Sequence, residues 1–271
     1  MLRDITLGQY YPAKSILHRL DPRVKLFGTL VYIISLFTFK GIFSFVLAAI
    51  FLVVMVKISK VPFSFIVKGL KTIVILMLIA GIFNLLLTPG TAILHFWIFK
   101  ITYEGIKSAV LMIVRLVFLM VGTSLMTLTT TPNELTDGLE KSLMPFSKIK
   151  VPVHEIAMMM SIALRFIPIL IDETDKIMKA QMARGADFES GNLLQKAKSM
   201  IPILVPLFVS AFRRANDLAM AMEARCYRGG EGRTKMKPLI YKKRDKYAYL
   251  VLIVYFAAMI ALRMVWVRFF V

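Results

Sequence analysis

A chain of 271 residues with 58% hydrophobic side chains and a mean hydropathy of +0.72 is too apolar for a water-soluble domain, where apolar usage runs at about 45 to 50%. Its net charge of +19 would suggest nucleic acid in a soluble protein; here the simpler cause is Lys and Arg beside an anionic leaflet, and no nucleic-acid partner is expected. The single Cys226 excludes an internal disulfide, and His18, His95 and His154 offer no metal-ligand spacing.

The first 25 residues are polar and mixed, unlike a cleavable signal peptide, so this arm is expected to stay cytoplasmic. Four apolar stretches follow it, Leu26–Phe39, Ile42–Val56, Thr72–Thr88 and Ile106–Leu128, and a fifth, Tyr247–Leu262, closes the chain. A span takes about 20 residues, so the shorter stretches need flanking Lys and Arg that snorkel to the interfaces. Arg3, Lys14, Arg19, Arg23 and Lys25, with Lys57, Lys60, Lys68 and Lys71, mark the cytoplasmic ends. The turns carrying Lys40 and Lys100 with Lys107 are then outside, and "AILHFWIFKITYEG" reads as an external turn with strand-like alternation. Arg115, near the middle of the fourth span, is costly in lipid and is either a functional charge or a structural one facing the bundle; Asn84 is a candidate partner.

Residues 129–245 differ in kind: they hold 19 Lys or Arg and 13 of the 16 acidic residues, yet carry long apolar stripes. One stripe runs Val153, Ala157, Met160, Leu164, Ile167, Ile171, Thr174, Met178 and the other Leu194, Ala197, Ile201, Leu204, Phe208, Ala211, Ala215, Leu218, Met222, in steps of three and four. Each predicts a helix of about 45 Å, kinked or split by Pro168 in the first and by Pro202 and Pro206 in the second. Making the first of these a span would carry Arg165 into the membrane and put a basic segment outside, so it is expected to remain cytoplasmic. The fold class is therefore an all-α membrane protein: about five transmembrane helices plus a cytoplasmic coupling domain of long amphipathic helices. Residues 1–128 hold the arm and spans 1–4, residues 129–245 the coupling domain, and residues 246–271 the last span.

Neither a G-x-x-x-x-G-K-[ST] phosphate loop nor a G-x-G-x-x-G turn occurs, and no Ser, His and acid set shares one region. No catalytic residue, cofactor site or metal site is expected. The carboxylates Asp172, Glu173 and Asp175 read as a solvated helix face. Ten of 18 methionines lie within residues 129–245, including Met158, Met159 and Met160. They suit either core filling or a re-packable docking surface. The Ala-Arg pair occurs twice, in "QMARGADF" and "MEARCYRG", each time where a stripe ends and Gly or a small residue follows. A cation there either complements the helix dipole or reaches a carboxylate on another protein.

Three features together resemble the transmembrane T component of energy-coupling factor (ECF) transporters, the ABC-type importers of vitamins and transition-metal ions. They are "HRLDPRVKL", with His18, Leu20, Asp21, Pro22, Arg23 and Lys25 as the N-terminal signature, and the two motifs Ala183-Arg184-Gly185 and Ala224-Arg225-Cys226. The resemblance covers essentially the whole chain. It implies a non-catalytic scaffold in the bacterial cell membrane that joins two ABC ATPases, a heterodimer of the EcfA type, to a membrane-embedded S component binding a vitamin. ATP and Mg would be bound by the ATPases. In the family each motif Arg docks on one ATPase, and Cys226 departs from the Gly form. The apolar helix faces would carry the S component, with Met158, Met159, Met160, Leu164, Ile167, Leu204 and Phe208 as docking residues. A T component for cobalt or nickel, and a self-sufficient permease, stay open as alternatives.

Overall fold

The computed structural model describes residues 10–39, 41–71, 73–96, 99–188, 192–229, 236 and 238–270. Arg3, Lys40, Thr72 and Trp97, used above for orientation and boundaries, lie outside them. The described residues are almost wholly helical and divide into two compact units, those within 8–139 and 239–271, and those within 140–238.

In the first unit α1 (Pro22–Thr38) starts sharply because Asp21 caps it, its carboxylate accepting the Arg23 N–H at 3.0 Å, and Pro22 occupies the first turn, where a missing N–H costs nothing. The helices α2 (Ile42–Ser59), α3 (Phe63–Lys71) and α4 (Val74–Leu87) follow. An antiparallel hairpin, β1 (Ala92–Phe96) with β2 (Phe99–Thr102), then leads into α5 (Tyr103–Thr129), whose Thr102 cap accepts the Gly105 N–H. Next comes α6 (Pro132–Leu143), opened by a reciprocal cap between Thr131 and Glu134. The core gathers Tyr32, Leu36, Ala48, Leu52, Val121, Leu128 and, from the last helix α10 (Lys243–Phe270), Tyr255 and Met259. Phe51 stacks on Tyr255 at 4.3 Å, and the Tyr255 and Ser35 hydroxyls meet at 2.8 Å, so these two buried groups satisfy each other, while the buried Tyr32 hydroxyl finds no partner among the described residues.

The second unit contains α7 (Val153–Ala183), α8 (Leu193–Ser199) and α9 (Ile201–Ala224). The expected second long helix is thus two: the chain breaks at Met200, because Pro202 supplies no N–H and crowds the preceding turn. Pro168 and Pro206 stay inside continuous helices.

Among the described residues, four helices are long and apolar enough to cross a membrane: Ile42–Ser59, Tyr103–Thr129, Lys243–Val265 and Val153–Ala183. Three were expected. α1, at 17 residues, and α4, at 14, are shorter than a full span, and Val153–Ala183 was set aside on the grounds of its charges, which length and overall apolarity do not weigh.

Candidate functional site

Helix α7 ends on Arg184. Gly185 follows with φ +88°, its N–H donating to the Met182 carbonyl at 3.0 Å, while the Ala186 N–H reaches the Gln181 carbonyl at 3.0 Å. Those two bonds close a Schellman motif, satisfying carbonyls that a helix end otherwise leaves bare. Helix α9 ends on Arg225 in the same way. The Cys226 N–H donates to Glu223 at 2.8 Å and the Tyr227 N–H to Met222 at 3.0 Å, with Cys226 at φ +55° in the position of Gly185. The doubt raised by cysteine is answered: the second motif is built like the first, with a side chain carried through the left-handed region. Arg184 and Arg225 are both exposed, and neither pairs with an acid among the described residues.

Three contacts set the two helices side by side. The Tyr227 hydroxyl donates to Met158 Sδ at 3.0 Å, Arg214 pairs with Glu173 at 3.0 Å, and the Gln181 amide donates to the Pro202 carbonyl at 3.3 Å. Residue numbers fall along α9 as they rise along α7, so the helices are antiparallel and their C-termini lie at opposite ends of the pair. From Pro202, beside the end of α7, to Arg225 is about 35 Å of helix at 1.5 Å per residue. Glu173 is thus engaged with α9, a correction to its reading as a solvated carboxylate.

The expected docking residues divide. Met159, Met160, Leu204 and Phe208 are 45 to 61% exposed, and Val205, Val209 and Phe212, which the stripe missed, extend the same apolar surface of α9. Met158, Leu164 and Ile167 are half-buried, Met158 being held by Tyr227. Stripe position alone could not separate them, since Met160 is exposed while Leu164 and Ile167 on the same stripe are half-buried.

The N-terminal signature is a buried knot rather than an exposed patch. Arg23 grips Asp21 with two bonds of 3.0 and 2.9 Å and stacks on Tyr241 at 3.8 Å. Burial pushes the Asp21 carboxyl up, but the hydrogen bonds and charge of Arg23 outweigh it and hold Asp21 below the usual carboxylate range. The Asp21 N–H donates to Asp245 at 2.9 Å, and the other Asp245 oxygen accepts the Lys242 N–H, capping α10. Lys25 Nζ donates to the Thr129 carbonyl at 2.7 Å. His18 Nε2 donates to the Tyr11 carbonyl and Nδ1 shares a hydrogen bond with the Ser15 hydroxyl, and burial lowers the ring's pKa. Leu20 and Pro22 pack beneath, Pro22 against Gly138 of α6. Asp245 carried no sequence signal: its partner lies 224 positions away.

A family model described as cobalt transport protein, CbiQ, matches residues 13–236. The chain is 57% identical over 268 residues to the energy-coupling factor transporter transmembrane protein EcfT of Clostridium kluyveri, covering 98% of this chain and 99% of the relative. The proteins of the same name from Acidaminococcus fermentans and Bacillus subtilis are 51% and 47% identical, each over 97% of this chain and 98% and 100% of the relative. The chain belongs to the EcfT family. It is a transmembrane component of energy-coupling factor transporters, and the EcfT-family resemblance drawn from the signature and the two Ala-Arg motifs is thereby shown.

The Arg of the fourth apolar stretch departs from one expectation, its pairing with Asn84. Arg115 of α5 does not meet Asn84, whose amide donates to the Ala80 carbonyl and to Met112 Sδ. Its guanidinium lies over the rings of Phe45 and Phe37, at 5.5 and 5.8 Å. Aromatic faces give a cation inside the bundle an alternative to a counter-ion.

Proposed function

We propose that this chain is the scaffold through which two partner ABC ATPases, a heterodimer of the EcfA type, drive vitamin uptake by a membrane-embedded S component. The observation that carries the reading is the pair of congruent helix ends. Two like Arg residues, each on a Schellman-capped C-terminus, stand about 35 Å apart on an antiparallel pair. Such spacing suits two separate acidic grooves, one on each motor, and since neither Arg pairs with an acid among the described residues, both guanidinium forks suit bidentate carboxylate contacts. Closure of the ATPases on ATP and Mg would move the two ends, and the rigid α7–α9 pair would carry that movement to an S component seated on Met159, Met160, Leu204 and Phe208.

In this reading the chain has no catalytic role, and ATP hydrolysis belongs to the partners. The N-terminal arm and residues 129–245 face the cytoplasm of a bacterial cell, beside the basic ends of the spans. The double substitution Arg184→Glu/Arg225→Glu is expected to abolish vitamin uptake while the chain still inserts into the membrane. Uptake at the wild-type rate in a cell carrying only the double variant overturns the proposal. The match to the cobalt transport protein family favours a second cargo class, cobalt, which co-purification decides by naming the S component.

A further inference from the structure

The unit of residues 8–139 and 239–271 holds a cavity of about 330 Å³ among α1, α2, α5 and α10, a size typical of small-molecule sites. Its back wall is apolar and buried, with Val24, Leu52 and Leu252, while Ile16, Tyr247 and Val251 on its rim are more than half exposed. Two cations line it as well. Lys25 lies one turn into α1 and Arg244 at the first turn of α10, beside Thr129 at the end of α5. All three helix ends therefore meet at one end of the cavity, and Tyr32 lies about 10 Å deeper along α1.

We propose that this cavity binds one acyl chain of an anionic phospholipid, whose phosphate is held by Arg244 and Lys25. A charged end and a long apolar body are the layout of a phospholipid, and basic pockets between membrane helices are known to take anionic headgroups. Arg244 Nε is buried and has no hydrogen-bond partner among the described residues, so an acceptor is wanted there. Lys25 is 8% exposed and spends its described bonds on carbonyl oxygens, of Thr129 and His18, not on a carboxylate. Burial pushes its pKa down to about 8, which leaves it mostly cationic at neutral pH. Three acids act on Lys25 and each is engaged by other groups, Glu134 by the Thr131 N–H, Asp21 by Arg23 and Asp245 by two backbone N–H groups. An anion is therefore the complementary guest, and the apolar walls require that it carry a hydrocarbon chain.

Native mass spectrometry of the purified full chain tests this with three probes: phosphatidylglycerol, phosphatidylcholine with the same acyl chains, and inorganic phosphate. One phosphatidylglycerol is expected to be retained, with phosphatidylcholine held about tenfold more weakly, because its choline cation is repelled by Arg244 and Lys25 and offsets the attraction of the phosphate that both lipids share. Millimolar inorganic phosphate is expected not to displace it. Arg244→Gln, and Ala248→Phe, which fills the cavity from α10, should each cut retention about tenfold, and Arg244→Lys should restore much of it. Equal retention of phosphatidylcholine, undiminished retention in Ala248→Phe, or displacement by free phosphate overturns the proposal. Should Ala248→Phe fail to fold, the competition between the two lipids on the wild-type chain decides alone.

Discussion

At Cys226 a side chain occupies a backbone position that glycine fills at the other motif. Its φ of +55° brings Cβ toward the carbonyl that follows, a conformation that costs an L-residue about 1 to 2 kcal/mol. Nothing lies within 4 Å of a Cβ built on Gly185, so at that site the cost of a side chain is purely conformational. Cys226→Gly is expected to stabilise the folded chain by about 0.5 to 1 kcal/mol, the unfolded state's gain in freedom offsetting part of the relief. Gly185→Ala should lose about 1 kcal/mol by the same physics. Thermal unfolding of both variants checks the pair, and a destabilised Cys226→Gly would show that the thiol is held by something other than its backbone.

Among the helices, α7 shows how one run of methionines divides between packing and contact. Met158 receives the Tyr227 hydroxyl and ties the far end of α9 to the start of α7, whereas Met159 and Met160 are 58 and 50% exposed. Met158→Ala should lower the stability of the unit by about 2 kcal/mol. Met159→Gln/Met160→Gln should leave the unfolding midpoint in place and reduce recovery of the S component with the purified scaffold by severalfold; unchanged recovery would remove these residues from the docking surface. The sequence made the helix ends readable, because Arg, Gly and small residues act within one turn. It also marked Pro202, together with Pro168 and Pro206, as a point of kinking or splitting. It could not reveal the antiparallel pairing, since Arg214 and Glu173 are 41 residues apart and each looks like an ordinary surface charge. Nor could it separate Pro202 from Pro168: both lack the N–H, yet α7 stays continuous around an exposed Pro168.

Across the whole chain, the signature at Asp21 to Lys25 is legible as a motif and opaque as a structure, because every contact that explains it reaches a distant segment. Asp21 meets Arg23 and Asp245, and Lys25 meets Thr129. A carboxyl whose folded pKa is lowered adds stability that is fully present above its unfolded value, about 4, and is lost as pH falls through the lowered folded value. The stability of the intact chain is therefore expected to decline on acidification below about pH 4, and Asp21→Asn should flatten that part of the curve. A variant curve parallel to wild type would place the acid sensitivity elsewhere. The span pattern was less legible for a related reason: hydropathy registers how apolar α7 is and not what its charges do, so length and charge give different lists of membrane helices.

The bond between the Asp21 N–H and Asp245 joins positions 224 apart, and Asp245 caps α10, which follows α7 and α9 in the chain. During synthesis α1 must wait, capped only by its own Asp21 and Arg23, until residue 245 has left the ribosome. Both Arg-tipped helices precede that residue in the chain, so they are made before the contact that closes this seam can form. Synthesis of α10 is thus the step that fastens the start of α1.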